Sequence, residues 1–84
     1  MPPDTVLTGL TEVLGDVVGV DPADVTPEAR FGHDLGIESL TLVEVVVAAE
    51  DRFGLVIADD DWSRFVTAGD AVAYIERAGM IASA

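Results

Sequence analysis

The sequence predicts an all-α fold, a small four-helix bundle with three longer helices and one short helix. Apolar residues recur at three- and four-residue spacing in three long segments, which is the period of one face of an α-helix. Prolines and glycines concentrate between these segments, where the chain must turn. One short apolar run resembles a strand, but no second run is available to pair with it. With 84 residues, the chain is expected to form one domain spanning 1–84.

The first helix is predicted from Asp4 to about Gly19. Asp4 follows two prolines, where a carboxylate can cap the free backbone N–H groups of the first turn. The apolar face of this helix repeats at helical spacing, through Val6, Leu7, Leu10, Val13, Leu14, Val17 and Val18.

A long ordered loop is predicted over residues 20–38. Residues that break helices are dense there: Asp21-Pro22, Thr26-Pro27, Gly32 and Gly36. Phe31 and Leu35 are the large apolar residues of its second half, and we expect them to anchor the loop in the core.

The second helix is predicted from Leu40 to Phe53, with Ser39 as the N-cap and Gly54 as the stop. One face forms a core stripe: Leu42, Val45, Val46, Ala49 and Phe53. The other side mixes apolar and acidic residues: Leu40, Glu44, Val47 and Asp51. Exposed apolar residues between carboxylates are typical of a docking surface for another protein. Packing of Leu40 and Val47 against the loop remains an open alternative.

The last third of the chain predicts a linker, a short helical turn and a final helix. Leu55–Ile57 forms a buried linker, and the short turn covers about Asp59–Phe65. Thr67 and Asp70, three residues apart, match a capping box that opens the last helix. Gly79 is expected to end this helix. Its inward residues are predicted to be Ala71, Val72, Ile75 and Ala78.

Sixteen acids, four arginines and no lysine give a formal net charge of -12. This charge disfavours nucleic acid and anionic membranes and favours a protein partner with a basic patch. The absence of cysteine excludes disulfides, thiolate catalysis and cysteine-ligated metals. The N-terminus lacks the basic start and apolar run of a secretory signal, so a cytoplasmic location is expected. Met1 and the Ala- and Ser-rich end favour a free-standing protein, expected to be a monomer.

The stretch Asp34–Leu40, Asp-Leu-Gly-Ile-Glu-Ser-Leu, resembles the modification site of acyl carrier proteins. Val43-Glu44 and Glu50–Gly54 continue the likeness along that family's second helix. Val25–Phe31 resembles its loop, and Thr67–Ile75 resembles its final helix. The resemblance covers nearly the whole chain and implies a single acyl-carrier domain over residues 1–84.

This resemblance implies that Ser39 carries covalent 4′-phosphopantetheine, transferred from coenzyme A by a separate phosphopantetheinyl transferase. The thiol of the arm would then hold acyl groups as thioesters. The positive end of the helix dipole at Ser39 suits a phosphodiester. The chain itself would be a carrier and not an enzyme, working with a ketosynthase, an acyltransferase or other acyl-processing enzymes.

Other family roles carry over to matching positions. The motif residues are Asp34, Leu35, Gly36 and Glu38. The docking contacts would be Leu40, Glu44, Val47, Glu50 and Asp51. The candidates for an acyl-chain cleft are Val43, Val46, Phe53, Ile57, Ala71 and Ile75, which core packing explains equally well.

Two departures from the family pattern bear on the pathway. Glu38 stands where the family most often has aspartate, and Thr41 stands where many fatty-acid carriers have an acid. With the valine-rich second helix and the absence of lysine, they favour polyketide over fatty-acid biosynthesis. An aminoacyl or peptidyl carrier, a D-alanyl carrier and an unmodified acidic adaptor remain alternatives.

Two other chemistries are disfavoured. A serine hydrolase would need a base, and His33 precedes Ser39 by six residues without a Gly-x-Ser-x-Gly elbow. The acidic run Asp59–Asp61 lacks the alternating ligands and central glycine of a calcium loop, so we predict no metal site. We expect this run to cap the short helix, and Trp62 to pack beneath it.

Overall fold

The computed structural model describes residues 3–83, with side chains described for residues 4–78, and it contains four α-helices in that range. Their bounds are α1 (Pro3–Val18), α2 (Ser39–Phe53), α3 (Asp59–Trp62) and α4 (Ala68–Ser83), with a 3₁₀ turn at Pro22–Asp24. Three helices are long and one is short, so the predicted all-α class is confirmed. The described residues include no strand, and one isolated bridge joins Arg30 to Thr67.

The capping box predicted at the start of α4 is present. The Asp70 N–H donates to Thr67 Oγ1 at 3.2 Å, and the Thr67 N–H donates back to Asp70 Oδ2 at 3.0 Å. Asp70 Oδ2 also accepts from the Val66 N–H at 2.8 Å. These backbone hydrogen bonds from Thr67 and Val66 hold the pKa of Asp70 below its ordinary value, because they stabilise the ionised carboxylate.

Two predicted helix ends are wrong. α4 continues through Gly79 to Ser83. A glycine inside a helix costs only about 1 kcal/mol relative to alanine, and the alanines nearby, Ala78 and Ala82, favour helix. α3 ends at Trp62, earlier than the predicted turn near Phe65, because residues 63–64 form a turn. The predicted stop at Gly54 is confirmed: this glycine has φ 66° and its N–H donates to the Glu50 carbonyl at 2.9 Å.

The core forms where α1 packs against α2 and α4. Its buried side chains come from all three long helices: Val6, Leu10, Val13, Leu14, Val45, Val46, Ala49, Ala71, Val72 and Ile75. The loop contributes as predicted, since Phe31 is buried and Leu35 packs against the cluster. No polar or charged residue is buried among those described. Within the same range, no helix combines the length and apolar composition needed to cross a membrane.

Backbone hydrogen bonds attach the long loop to the first turn of α4. The Ala68 N–H donates to the Ala29 carbonyl at 2.9 Å, and the Gly69 N–H donates to the Pro27 carbonyl at 2.8 Å. The approach is close enough to require glycine, since a Cβ at Gly69 would lie 2.7 Å from the Pro27 carbonyl oxygen. In the other direction, the Phe31 N–H donates to the Val66 carbonyl at 2.9 Å. The loop therefore caps α4 while placing Phe31 in the core.

Candidate functional site

Ser39 is the first residue of α2, and its side chain is exposed. The N-cap is Glu38, so the prediction that Ser39 caps the helix is wrong by one residue. Glu38 has extended backbone angles, φ -76° and ψ 160°, and its carbonyl accepts the Leu42 N–H at 2.8 Å, which is the first hydrogen bond of the helix. The Glu38 side chain makes no capping hydrogen bond. The hydroxyl of Ser39 is thus free of a capping role.

The motif before Ser39 has a structural explanation. Asp34 Oδ2 accepts the Arg30 N–H at 2.8 Å, which closes a tight turn in the loop. Gly36 has φ 65°, a left-handed conformation that residues with a Cβ adopt at a cost. The buried Ile37 then donates its N–H to the Phe31 carbonyl at 2.8 Å. These contacts fix the backbone that leads to Ser39.

Asp34 is also part of an exposed cluster with Arg30 and His33. His33 Nδ1 lies 3.1 Å from Asp34 Oδ1 and 3.1 Å from Arg30 Nη2. Arg30 Nε lies 3.4 Å from Asp34 Oδ2. The pKa of Asp34 is lowered to about 2, chiefly by the hydrogen bond from the Arg30 backbone and next by the one from His33. The ionised carboxylate of Asp34 therefore stabilises the conformation of the loop through its contacts with Arg30 and His33.

An open groove of about 550 Å³ lies beside Ser39. Its walls come from the loop, the start of α2 and residues 62–66; they include Arg30, His33, Leu42, Trp62, Phe65 and Val66. Trp62 is half-buried next to its turn, and its Nε1–H donates to Asp59 Oδ1 at 3.1 Å. The sequence interpretation missed the groove, because segments about 30 residues apart along the chain form it and no local pattern marks them.

The stripe predicted on α2 is exposed. Glu44 and Asp51 are exposed, and the apolar members Leu40 and Val47 are 84% and 54% exposed. These exposures exclude the alternative in which both apolar residues pack against the loop. Glu50 does not share this face: it is half-buried, and its Oε2 accepts the Ile57 N–H at 2.7 Å. Its carboxylate thus holds the linker between α2 and α3.

The predicted acyl-chain cleft is only partly assembled. Four candidates line one apolar cavity in the core: Val46, Ile57, Ala71 and Ile75. Val43 is 41% exposed, and Phe53 packs against α1, where a Cβ at Gly9 would lie 2.7 Å from the Phe53 ring. The prediction is therefore wrong in placing these two residues with the other four. The cavity measures about 10 Å³, roughly the volume needed to hold one water molecule. It is too small for an acyl chain, and core packing accounts for its lining.

The acidic run at the start of α3 pairs with aromatic side chains. The N-cap of α3 is Ala58, so the prediction that this run supplies the cap is wrong. Asp61 Oδ2 accepts the Tyr74 O–H at 3.0 Å, which joins α3 to α4. Burial, followed by this hydrogen bond to Asp61, raises the pKa of Tyr74. The described residues contain no group of three or more His, Cys, Asp or Glu arranged to hold a metal ion.

A small helical bundle with a free, exposed serine at the start of its second helix is the architecture of a carrier domain. The family model described as "Phosphopantetheine attachment site" matches residues 8–75, and the chain belongs to that family. Its cofactor is phosphopantetheine, and it functions as an acyl carrier in fatty-acid or polyketide-type biosynthesis. Carriers of this family are generally non-catalytic and work with acyl-processing enzymes.

Similar proteins are acyl carriers. The chain is 49% identical over 75 residues to the acyl carrier protein of Acidothermus cellulolyticus, covering 89% of each chain. It is 43% identical to the meromycolate extension acyl carrier protein of Mycolicibacterium smegmatis, over 88% of this chain and 75% of that protein. It is 44% identical to the acyl carrier protein of Thermobifida fusca, over 86% of this chain and 91% of that protein.

Replacing Gly36 by alanine tests whether its left-handed backbone conformation contributes to the stability of the loop that leads to Ser39. We expect Gly36→Ala to lower the free energy of unfolding by about 1 to 2 kcal/mol, because a Cβ is disfavoured in that conformation. The measurement is urea denaturation followed by circular dichroism. Gly32→Ala is the matched control, since its φ lies outside the left-handed region and the nearest atom to its Cβ would be 3.9 Å away. Equal losses in the two variants would contradict the argument.

The stability of the loop should depend on pH through Asp34. Its pKa falls from 3.8 to about 2 on folding, so its contribution to stability is present above about pH 4 and is lost as the pH falls toward 2. We expect Asp34→Asn to be less stable than the wild type at pH 7, with the difference shrinking between pH 4 and pH 2. Denaturation midpoints across this range measure it. A constant difference would show that the charge of Asp34 is irrelevant.

Proposed function

We propose that Ser39 is the attachment point of 4′-phosphopantetheine and that the thiol of the arm carries acyl groups as thioesters between enzymes. The observation that carries the proposal is the free Ser39 hydroxyl at the groove. It is exposed, belongs to the first residue of a 15-residue helix and makes no hydrogen bond among the described residues. Ser63 lines the same groove, but its hydroxyl donates to the Asp60 carbonyl at 3.1 Å.

The geometry of Ser39 suits a site modified by another enzyme. His33 is engaged with Asp34 and Arg30, and none of the described residues offers a base in hydrogen bond with the Ser39 hydroxyl. A phosphopantetheinyl transferase would remove the hydroxyl proton, and the serine oxygen would attack the phosphorus of coenzyme A that bears the pantetheine. The new P–O bond would form as the bond from this phosphorus to the nucleotide breaks, and adenosine 3′,5′-bisphosphate would leave. The N-terminal end of α2 would stabilise the resulting anion, because Glu38 does not cap the N–H groups of that turn with its side chain.

The class of cargo is proposed from the relatives. The meromycolate extension carrier supports an acyl group of the fatty-acid type, and the resemblance to acyl carriers supports an acyl over an aminoacyl cargo. The expectation of a polyketide pathway, based on Thr41 and the valine-rich α2, remains a prediction. The core cavity of about 10 Å³ leaves no room for an acyl chain in this conformation. Uptake of a chain between α2 and α4 would require the helices to separate.

Partner enzymes are proposed to dock on the α2 stripe of Leu40, Glu44, Val47 and Asp51. Its apolar members are exposed: Leu40 directly follows Ser39, and Val47 lies about two turns further along the helix. Its carboxylates add to a net charge of -12, which would attract a basic surface around a partner's active site. Docking on the stripe would therefore orient Ser39 and its arm toward the active site of the partner enzyme. Glu50 contributes less, since its carboxylate holds the Ile57 N–H.

Modification of Ser39 is the first prediction of this function. After incubation with coenzyme A, Mg²⁺ and a promiscuous phosphopantetheinyl transferase, we expect the wild type to gain one arm in intact-protein mass spectrometry and Ser39→Ala to gain none. Ser63→Ala is the matched control, because it removes the other serine hydroxyl of the groove. This variant keeps Ser39 and should be modified like the wild type. Absence of modification with several transferases would favour the unmodified adaptor.

Charge reversal tests the docking stripe. We expect Glu44→Lys and Asp51→Lys each to lower kcat/KM for loading by a cognate acyltransferase by about tenfold, or about 1.4 kcal/mol, through repulsion of a basic partner surface. The free energy of unfolding should change by less than about 0.5 kcal/mol, since both side chains are exposed. Glu28→Lys makes the same charge change at an exposed loop position. A loss of equal size in this control would point to net charge and away from the stripe.

A further inference from the structure

The groove beside Ser39 differs in charge from the rest of the chain. Sixteen acids outnumber four arginines and one histidine, yet no carboxylate lines this groove, whereas Arg30 and His33 both do. Two other open grooves differ: the one along α1 is lined by Glu12 and Asp16, and the one along α4 also includes carboxylates. Of these three grooves, the one beside Ser39 is the one that has basic side chains and no carboxylate in its lining.

Asp34 orients the two basic side chains. Its Oδ2 accepts from the backbone N–H of Arg30 and lies 3.4 Å from Arg30 Nε, while its Oδ1 lies 3.1 Å from His33 Nδ1. Arg30 Nη2 is placed 3.1 Å from the same Nδ1. Arg30 Nη1 and His33 Nε2 make no hydrogen bond within the described residues. Nη1–H is therefore a free donor, and Nε2–H is one in the tautomer in which Nδ1 accepts from Arg30 Nη2. A carboxylate that holds one ring nitrogen of a histidine fixes the direction of the other.

We propose that Arg30 and His33 form an anion site for the phosphodiester of the arm, a proposal that rests on its attachment at Ser39. An anion fixed to a chain of this acidity is repelled by most of its surface, and the guanidinium and imidazole offer the nearby N–H donors that favour it. The phosphodiester then lies against the loop, and the arm begins along the groove toward Trp62. Arg30 and His33 are positioning residues for the arm.

The two donors meet little competition within the groove. Arg30 and Asp34 are opposite charges that largely offset each other, so the contact depends on short N–H donors more than on net charge. Binding of the anion selects the His33 tautomer with its proton on Nε2, in which Nδ1 accepts from Arg30 Nη2 and Nε2–H donates to the phosphodiester. Glu38, next to Ser39, is the nearest opposing charge along the chain and is exposed to solvent. No charged side chain from residues 62–66 lines the groove to compete for these donors.

The test is ³¹P NMR of the modified protein, prepared with coenzyme A and checked for complete modification by mass spectrometry. The ³¹P resonance of a phosphodiester responds to the hydrogen bonds that its oxygens accept. We expect Arg30→Gln and His33→Gln each to displace the resonance from its wild-type position at a fixed pH, because each removes one of the two donors. Arg30→Lys keeps the charge and an N–H donor and should displace the resonance less than Arg30→Gln.

Arg64→Gln is the matched control, because Arg64 is an exposed arginine that lines the groove along α4 and not the one beside Ser39. It should leave the resonance as in the wild type. If Arg30→Gln and His33→Gln are both fully modified and both give the wild-type resonance, the anion site is disproved while attachment at Ser39 stands. If the wild type cannot be modified, the proposed function fails first. Circular dichroism confirms that each variant is folded.

Discussion

The site depends on the backbone hydrogen bonds between the long loop and the start of α4. Carbonyls of Pro27 and Ala29 accept the first free N–H groups of α4, and the Val66 carbonyl accepts the N–H of Phe31. Each such bond contributes about 1 kcal/mol, and each removes an unsatisfied group at a helix end or in a loop. The apolar face of α4 is buried in the core, which fixes the position of this helix. The hydrogen bonds to α4 then fix the position of the loop. The two walls of the groove, residues 30–33 and 62–66, meet as a result.

The two faces of α2 divide stability from recognition. Val45, Val46 and Ala49 are buried against α1 and α4, and the face with Leu40 and Val47 is left to solvent. Exposed apolar side chains add little stability to the free protein, and a partner that docks on this face as proposed would bury them. The opposite face is closely packed, since the core beneath α2 holds a cavity of only about 10 Å³. Ser39 and the stripe belong to the same helix, so the helix geometry sets the position of one relative to the other.

The sequence predicted features whose signals are local and missed those that need the tertiary structure. Apolar spacing located the long helices, and the Thr67–Asp70 spacing identified the capping box, because each depends on residues within one or two turns. Gly79 was misjudged because glycine lowers helix propensity without stopping a helix that its neighbours support. The role of Glu50 was missed because its carboxylate reaches Ile57 only after the chain reverses at Gly54. No periodic pattern links Trp62 to Ser39.

The acids of this chain have two separable uses, and the hydrogen bonds distinguish them. Asp34 and Asp70 accept backbone N–H groups in the loop and at α4, which lowers the pKa of both and makes their negative charge part of the fold. Glu44 and Asp51 make no hydrogen bond among the described residues and are exposed, so their charge is fully available to a partner. Salt screens exposed charges more than it weakens short hydrogen bonds. Rising ionic strength should therefore weaken recognition of partners before it loosens the loop that holds Ser39.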